Sequence, residues 1–343
     1  MTRDWVDHQG VFIIAELSAN HGGDIAIALQ TIQAAKEAGA DGIKLQTYTP
    51  DTITMDVKSD LFKVEKGSIW EGKYLYDLYQ EAYTPWEWHA ELFAAARNEG
   101  LVCFSSPFDK SAVDLLETLD TPAYKIASFE INDIPLIRYA AEKGKPMIIS
   151  TGIATEEDIR SALEACREVG NEDITLLKCT SSYPAPVERA NMLTMQDFGK
   201  RFQVKYGLSD HTLGEEVPVV ATALGASMIE KHFIIDKKIG GPDASFSLDV
   251  QEFKSMVKAV RKAEKALGSL TYELDPKTIK SRAYRRSLFA AKDIEAGESF
   301  SQENVKSIRP GNGLEPKHWD QVLTMKSKVF IPKGTPLSFE MMT

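Results

Sequence analysis

Two histidines, two lysines, two glutamates and a set of serines recur at one kind of place in this chain, the C-terminal end of a short apolar run. The run 11–17 carries Glu16, and 42–46 carries Lys44 and Gln46. The run 102–105 leads to Ser105 and Ser106, and 124–128 carries Lys125 and Ser128 with Glu130 just beyond. Ser150 ends 147–150, and 175–179 leads into Thr180 and Ser181. Ser209 and His211 follow 204–208, while 228–232 carries Glu230 and His232. Two imidazoles at adjacent strand ends suit a divalent transition metal such as Mn, Fe, Co or Zn.

Lysine supplies a point charge and serines supply short donors, so Lys125, Ser128, Ser150, Ser181 and Ser209 suit a phosphate or carboxylate. A lysine inside an apolar run is expensive to bury without an anion, so a structural salt bridge is the other reading of Lys125 and Lys44. Glu16 and Glu130 can move protons or orient water, or serve as those counterions. His21 either points into the same cleft or caps a helix. His8, His89 and His318 read as surface or packing residues.

For these groups to meet, the runs must be strands sharing one mouth. The segments between them have helical periodicity. Residues 25–38 form an apolar stripe ending at Gly39. Residues 85–99 start at Thr84-Pro85 and stop at Gly100. Residues 155–169 open with Thr155 and Asp158 in a capping-box pattern, and 251–267 close at Gly268. Eight strands alternating with helices predict an α/β fold of the (β/α)8 TIM-barrel class, whose active site lies at the C-terminal ends of the strands. Residues 47–83 are too long for a simple loop. They read as a substrate wall or lid, or else as an interface.

The pattern changes after Gly268. Residues 1–268 are expected to form the barrel, 269–286 a charged linker with a short helical piece, and 287–343 a small, mainly β module. A module of that size has a marginal core and is expected to dock on the barrel.

Bulk properties narrow the function. The 343-residue chain has a net charge of −10, which argues against nucleic acid as a partner. A few lysines at one cleft can still attract a small phosphorylated substrate. No apolar run is long enough to span a bilayer, and residues 1–10 have no signal-peptide core, so no membrane partner and a cytoplasmic location are expected. Cys103, Cys166 and Cys179 lack CxxC spacing and read as small buried hydrophobes.

Six stretches together resemble the sialic acid synthase family: 12–21 (FIIAELSANH), 124–130 (YKIASFE), 150–152 (STG), 179–184 (CTSSYP), 207–211 (GLSDH) and 230–233 (EKHF). Arg309-Pro310-Gly311-Asn312-Gly313 resembles the arginine motif of that family's C-terminal antifreeze-like (SAF) domain. Residues 46–52, 70–89 and 240–248 resemble the branch of the family that makes pseudaminic acid. Leu45 and Phe129 replace the histidine and glycine usual in neuraminate synthases, and apolar residues beside the pocket would fit a 6-deoxy sugar.

The resemblance implies a reaction, the condensation of phosphoenolpyruvate with the open-chain aldehyde of an N-acetylated 6-deoxy sugar and release of phosphate. It implies a divalent metal on His211 and His232, Mn2+ first, with Mg2+ or Co2+ as alternatives. It gives catalytic roles to Glu16, Glu130 and Lys44. Lys125, Ser128, Ser150, Ser181 and Ser209 would hold phosphoenolpyruvate, and Lys44, Gln46, Tyr183 and Asp243 the sugar. Arg309 would reach the mouth from the SAF domain of a partner subunit, in a domain-swapped homodimer. The competing readings are a legionaminic or N-acetylneuraminic acid synthase and a non-catalytic sugar-binding protein. A barrel metal hydrolase would want more metal ligands than two histidines.

Overall fold

The eight apolar runs become eight parallel strands: β1 (Phe12–Glu16), β2 (Gly42–Thr47), β3 (Val102–Pro107), β4 (Tyr124–Ile126), β5 (Met147–Ser150), β6 (Ile174–Cys179), β7 (Lys205–Asp210) and β8 (Met228–His232). Each pairs with the next and β8 pairs with β1, closing a barrel in sequence order. The computed structural model describes residues 10–343; His8 and the stretch before Gly10 lie outside the described residues.

Alternation along the strands sorts the side chains. In register, Phe12 faces Met228, Ile14 faces Glu230, and Glu16 faces both Lys44 and His232. The deeper members of the inward set, Phe12, Ile14, Phe104, Ala123, Ile148, Leu177 and Met228, form an apolar plug. The opposite set, including Ile13, Ala15, Leu17, Ile43 and Leu45, packs beneath the helices in the main core. Each fully buried Ile or Leu there contributes about 1.5–3 kcal/mol. Gly207 belongs to the inner face because space forbids more, since a Cβ would lie 2.3 Å from the Met228 carbonyl oxygen.

The helix Ile25–Ala38 begins where the Asp24 side chain accepts from Ala26 N and ends at Gly39, whose φ of 95° is left-handed. Thr155 and Asp158 form the expected capping box on Glu156–Arg167. Asp249 and Glu252 form another on Val250–Leu267. The segment expected to be one helix over 85–99 differs. Pro85 is extended (ψ 132°), a 3-10 turn follows at Trp86–Trp88, and the α-helix starts only at His89 and ends at Asn98. Likewise β4 stops at Ile126, and Ser128–Glu130 is a 3-10 turn.

The chain divides into two compact units after Gly268. In the second, Ser269–Thr343, the stretch expected to be a linker holds a helix, Pro276–Ser281, capped by Asp275. β9 (Ser287–Ala290) pairs antiparallel with β10 (Val305–Ile308). Its core is small, with Leu288, Ile294, Phe300, Val305, Val322, Ile331 and Leu337 at its centre. No helix among the described residues is long and apolar enough to cross a membrane.

Candidate active site

The charged groups meet just above the apolar plug. Lys44 Nζ lies 2.6 Å from Glu16 Oε2 and 3.7 Å from Glu230 Oε1, and it donates to Ser106 Oγ at 3.2 Å. Lys125 Nζ is 3.9 Å from the same Glu230 oxygen. All four charged side chains are buried. Burial pushes Glu16 up to about 7, with Lys44 opposing and Glu230 reinforcing the shift. Burial would raise Glu230 too, but Lys125 and Lys44 hold it below the ordinary range. Burial lowers Lys125 despite Glu230. Burial also acts to lower Lys44, yet Glu16 and Glu230 hold it above the ordinary value. Glu230 therefore remains ionised, and Glu16 can hold or release a proton near neutral pH.

Beside this quartet are hydroxyls with little else to bond. Ser150 Oγ is buried without a partner, as are Glu130 Oε2 and Glu230 Oε2. Buried polar atoms of this kind mark a place for a ligand or ordered water. Ser128 Oγ accepts from Gly152 N at 3.0 Å, and Ser209 Oγ donates to Glu230 Oε1 at 3.3 Å. Ser181 and Ser128 close around Gly152, where a Cβ would lie 2.1 Å and 2.7 Å from their oxygens. Glu130 is raised to about 7 by burial, with Lys125 opposing.

His211 and His232 stand with ring centroids 5.3 Å apart. Both are buried. The loops after the strands cover them. His211 Nδ1 lies 3.0 Å from the Thr180 carbonyl oxygen, so Nδ1–H is the donor there and Nε2 is the nitrogen left to meet a ligand. Burial works to lower His211, but the Cys179 sulfur, 3.8 Å away, holds it above its ordinary value. Burial and the neighbouring His211 hold His232 well below its ordinary value. His232 Nδ1 is buried without a hydrogen-bond partner, 3.9 Å from Asp243 Oδ2. Among the described residues no group of three or more His, Cys, Asp and Glu side chains is placed to hold a metal ion. Two imidazoles, one fixed through its far nitrogen and one with an orphaned nitrogen, fit an ion that takes its other ligands from water and substrate.

A third side of the cleft is both polar and aromatic. Gln46 Nε2 donates to Glu16 Oε1 at 3.1 Å and to Ser18 Oγ at 2.9 Å, and Ser18 Oγ donates to Asp243 Oδ2 at 2.5 Å. Tyr183 stacks on His211 at 4.5 Å and on Phe246 at 5.0 Å, and Phe246 touches His232 at 4.9 Å. The long insertion after β2 reaches this wall. Trp70 lies 5.4 Å from Tyr183 and donates through Nε1 to the Pro242 carbonyl at 2.9 Å.

The barrel thus brings together Glu16, Lys44, Gln46, Lys125, Ser128, Glu130, Ser150, Ser181, Tyr183, Ser209, His211, His232 and Asp243 around one mouth. Arg309 belongs to the second unit and is exposed. Two expected pocket residues are not pocket walls. Leu45 follows inward-facing Lys44, so period-2 alternation turns it into the helix-side core. Phe129 is 58% exposed on the 3-10 turn. His21 serves a loop, since its Nδ1 accepts from Gly23 N and burial pushes it down to about 4. His89 is a packing residue bonded to Thr47 Oγ1 at 2.9 Å, and His318 packs on Phe339. Glu230, Ser18, Trp70 and Phe246 are the residues that sequence reasoning left without a role. Glu230 was open to discovery, because it lies two residues before His232 on the same strand face.

Comparison with known proteins gives one consistent result. Residues 31–272 match the NeuB family and residues 285–342 match the SAF domain. The chain is 52% identical to pseudaminic acid synthase of Campylobacter jejuni over 95% of both chains. It is 35% identical to N,N'-diacetyllegionaminic acid synthase of Legionella pneumophila over 96% of this chain and 94% of that one. The crystal structure of N-acetylneuraminic acid synthetase from Leptospira borgpetersenii superposes with a TM-score of 0.70 at 30% identity, covering 80% of this chain and 90% of that one.

Proposed function

The chain belongs to the NeuB family and carries a SAF domain, and from that premise we propose that it condenses phosphoenolpyruvate with 2,4-diacetamido-2,4,6-trideoxy-L-altrose to give pseudaminic acid and phosphate. One observation carries this choice of sugar. Identity to a pseudaminic acid synthase is 52% over 95% of both chains, against 35% for a legionaminic relative. The cleft supports the chemistry, with two buried lysines and unpartnered hydroxyls beside a glutamate that titrates near neutrality.

Lys125, Ser128, Ser150, Ser181 and Ser209 hold the phosphate and carboxylate of phosphoenolpyruvate. Gln46, Tyr183 and Asp243 orient the open-chain sugar, with Lys44 beside its reacting end. Carbon 3 of phosphoenolpyruvate attacks the aldehyde carbon and forms the new C–C bond as the carbonyl π bond breaks, its electron pair passing to the aldehyde oxygen, which takes a proton from solvent and becomes a hydroxyl. Positive charge develops at carbon 2, where Glu16 is the carboxylate that stabilises it. Water adds to carbon 2 and loses a proton to Glu130. The C–O bond to phosphate then breaks, the carbon 2 hydroxyl gives its proton to the departing phosphate, and carbon 2 is left as the ketone. Holding both substrates in line supplies ~7–11 kcal/mol of the barrier reduction, so the positioning residues matter as much as the acids.

His211 and His232 would hold a divalent ion, Mn2+ first and Mg2+ or Co2+ after it. Such an ion, when bound, supplies Lewis-acid polarisation of the aldehyde oxygen. Arg309 completes the site from the SAF domain of the partner subunit in a domain-swapped homodimer. Exposed Leu270, Tyr272, Leu274, Ile279 and Tyr284 ahead of that domain give a second copy an apolar strip to cover.

The test is phosphate release from phosphoenolpyruvate with three candidate sugars in turn. The 2,4-diacetamido-2,4,6-trideoxy-L-altrose should be the best substrate. Equal rates, or a lead for N-acetylmannosamine, would place the chain in another branch.

A further inference from the structure

Most of the insertion between residues 54 and 74 is exposed, including Leu61 at 86% and Met55 at 60%. Trp70 is one of its half-buried residues. Its indole is held on two sides, by Tyr183 at 5.4 Å and Phe246 at 6.3 Å, with Nε1–H donated to the Pro242 carbonyl. One side chain thereby ties the loop after β2 to the loop after β8. Pro242 directly precedes Asp243, which bonds Ser18 and faces His232.

The rings form a graded wall. His211 and His232 stand at its inner end, Tyr183 and Phe246 touch them, and Trp70 joins through Tyr183 and Phe246. The inner end is where the Proposed function places the aldehyde carbon. An open-chain six-carbon sugar fixed there at carbon 1 would run outward along this wall, bringing its carbon 6 toward the outer ring. An indole face offers no hydrogen-bond acceptor or donor to a 6-hydroxyl once its N–H is committed to Pro242. It does offer an apolar surface to a methyl.

We propose that Trp70 is the residue that selects a 6-deoxy sugar, its ring forming the wall against which the 6-methyl packs. The reading rests on the proposed reaction, and its test separates the two. The measurement is kcat/KM for 2,4-diacetamido-2,4,6-trideoxy-L-altrose and for the same sugar bearing a 6-hydroxyl, at saturating phosphoenolpyruvate. One methyl against an apolar wall discriminates by ~10–200-fold. The unaltered enzyme should show a preference in that range. Trp70→Phe keeps an apolar ring and should keep most of it. Trp70→Ala should bring the ratio close to unity, while the KM for phosphoenolpyruvate stays unchanged and thermal melting confirms a folded chain. Should Trp70→Ala slow both sugars equally, the indole only pins the two loops and the proposal fails. Phosphate release with neither sugar in the unaltered enzyme would instead overturn the reaction itself. If Trp70→Ala does not fold, Trp70→Leu and Trp70→Gln decide the matter. Leu should retain more of the 6-deoxy preference than Gln, and equal ratios for the two would overturn the proposal.

Discussion

Glu16 Oε2 lies 2.6 Å from Lys44 Nζ, and both side chains are almost wholly shielded from water. Neighbouring strands β1 and β2 place them in register, so the pair is set by the barrel rather than by flexible reach. Removing one charge from a buried pair leaves the other uncompensated, at about 3–5 kcal/mol. Lys44→Met should therefore lower unfolding stability by roughly that amount and abolish turnover, because Glu16 and Glu230 then lose the cation that lies against both. The double variant Glu16→Gln/Lys44→Met should regain stability but no activity. Urea melts of the two variants check this; equal losses would mean that the pair carries no coupling.

Glu16 and Glu130 are both raised to about 7 by burial, from an ordinary 4.5. A carboxyl that holds its proton more tightly when folded contributes stability that is full below its unfolded pKa and is lost as pH rises through 7. Glu130→Gln cannot titrate, so it should gain stability relative to the unaltered protein between pH 5 and pH 8. Catalysis runs the other way, because both carboxylates act ionised, and kcat/KM should fall as pH drops below about 7. Melting temperatures and rates across that range test both signs. Parallel melting curves for the two proteins would show that Glu130 has an ordinary pKa.

The barrel was legible because its signals repeat. Eight β-branched runs, amphipathic segments between them and capping residues such as Thr155 with Asp158 all agree on one fold. Inward-facing residues at strand ends were equally legible, since Glu16, Lys44, Lys125 and His232 are polar groups in otherwise apolar runs. Leu45 was misread because one step along a strand reverses the face, and a substitution seen in a motif does not say which way its side chain points. Trp70 was out of reach for another reason. Its partner carbonyl belongs to Pro242, 172 positions away, and no local pattern encodes that contact.

Gly152 makes a sharper test of the anion site than any of its serines. A Cβ there would lie 2.1 Å from Ser181 Oγ and 2.7 Å from Ser128 Oγ, so both hydroxyls must move. Gly152→Ala should raise the KM for phosphoenolpyruvate at least tenfold and leave the KM for the sugar near its original value. Steady-state kinetics with each substrate varied in turn decides it. A rise confined to the sugar would exchange the two subsites.

Metal dependence has its own readout. His211 is oriented by Thr180 and His232 keeps a buried, unpartnered Nδ1. Chelation should abolish turnover and Mn2+ should restore it. His211→Ala and His232→Ala should each weaken Mn2+ binding, measured by calorimetry, by at least tenfold while the far-ultraviolet spectrum stays unchanged. Full activity after exhaustive chelation would remove the metal from the mechanism.

Arg309 tests the assembly. It is exposed on the second unit, and Lys125 is buried in the barrel of the first. If each SAF domain completes the partner's barrel, an Arg309→Ala chain and a Lys125→Ala chain are each inactive as homodimers for different reasons. A mixed dimer then holds one site lacking both residues and one site with both intact. Random exchange makes half of the dimers mixed, so a quarter of all sites recover. Activity near that fraction after subunit exchange, verified by mass-tagged chains, is the expected outcome. Had each SAF domain served its own barrel, every site would lack one residue or the other, and the mixture would stay inactive.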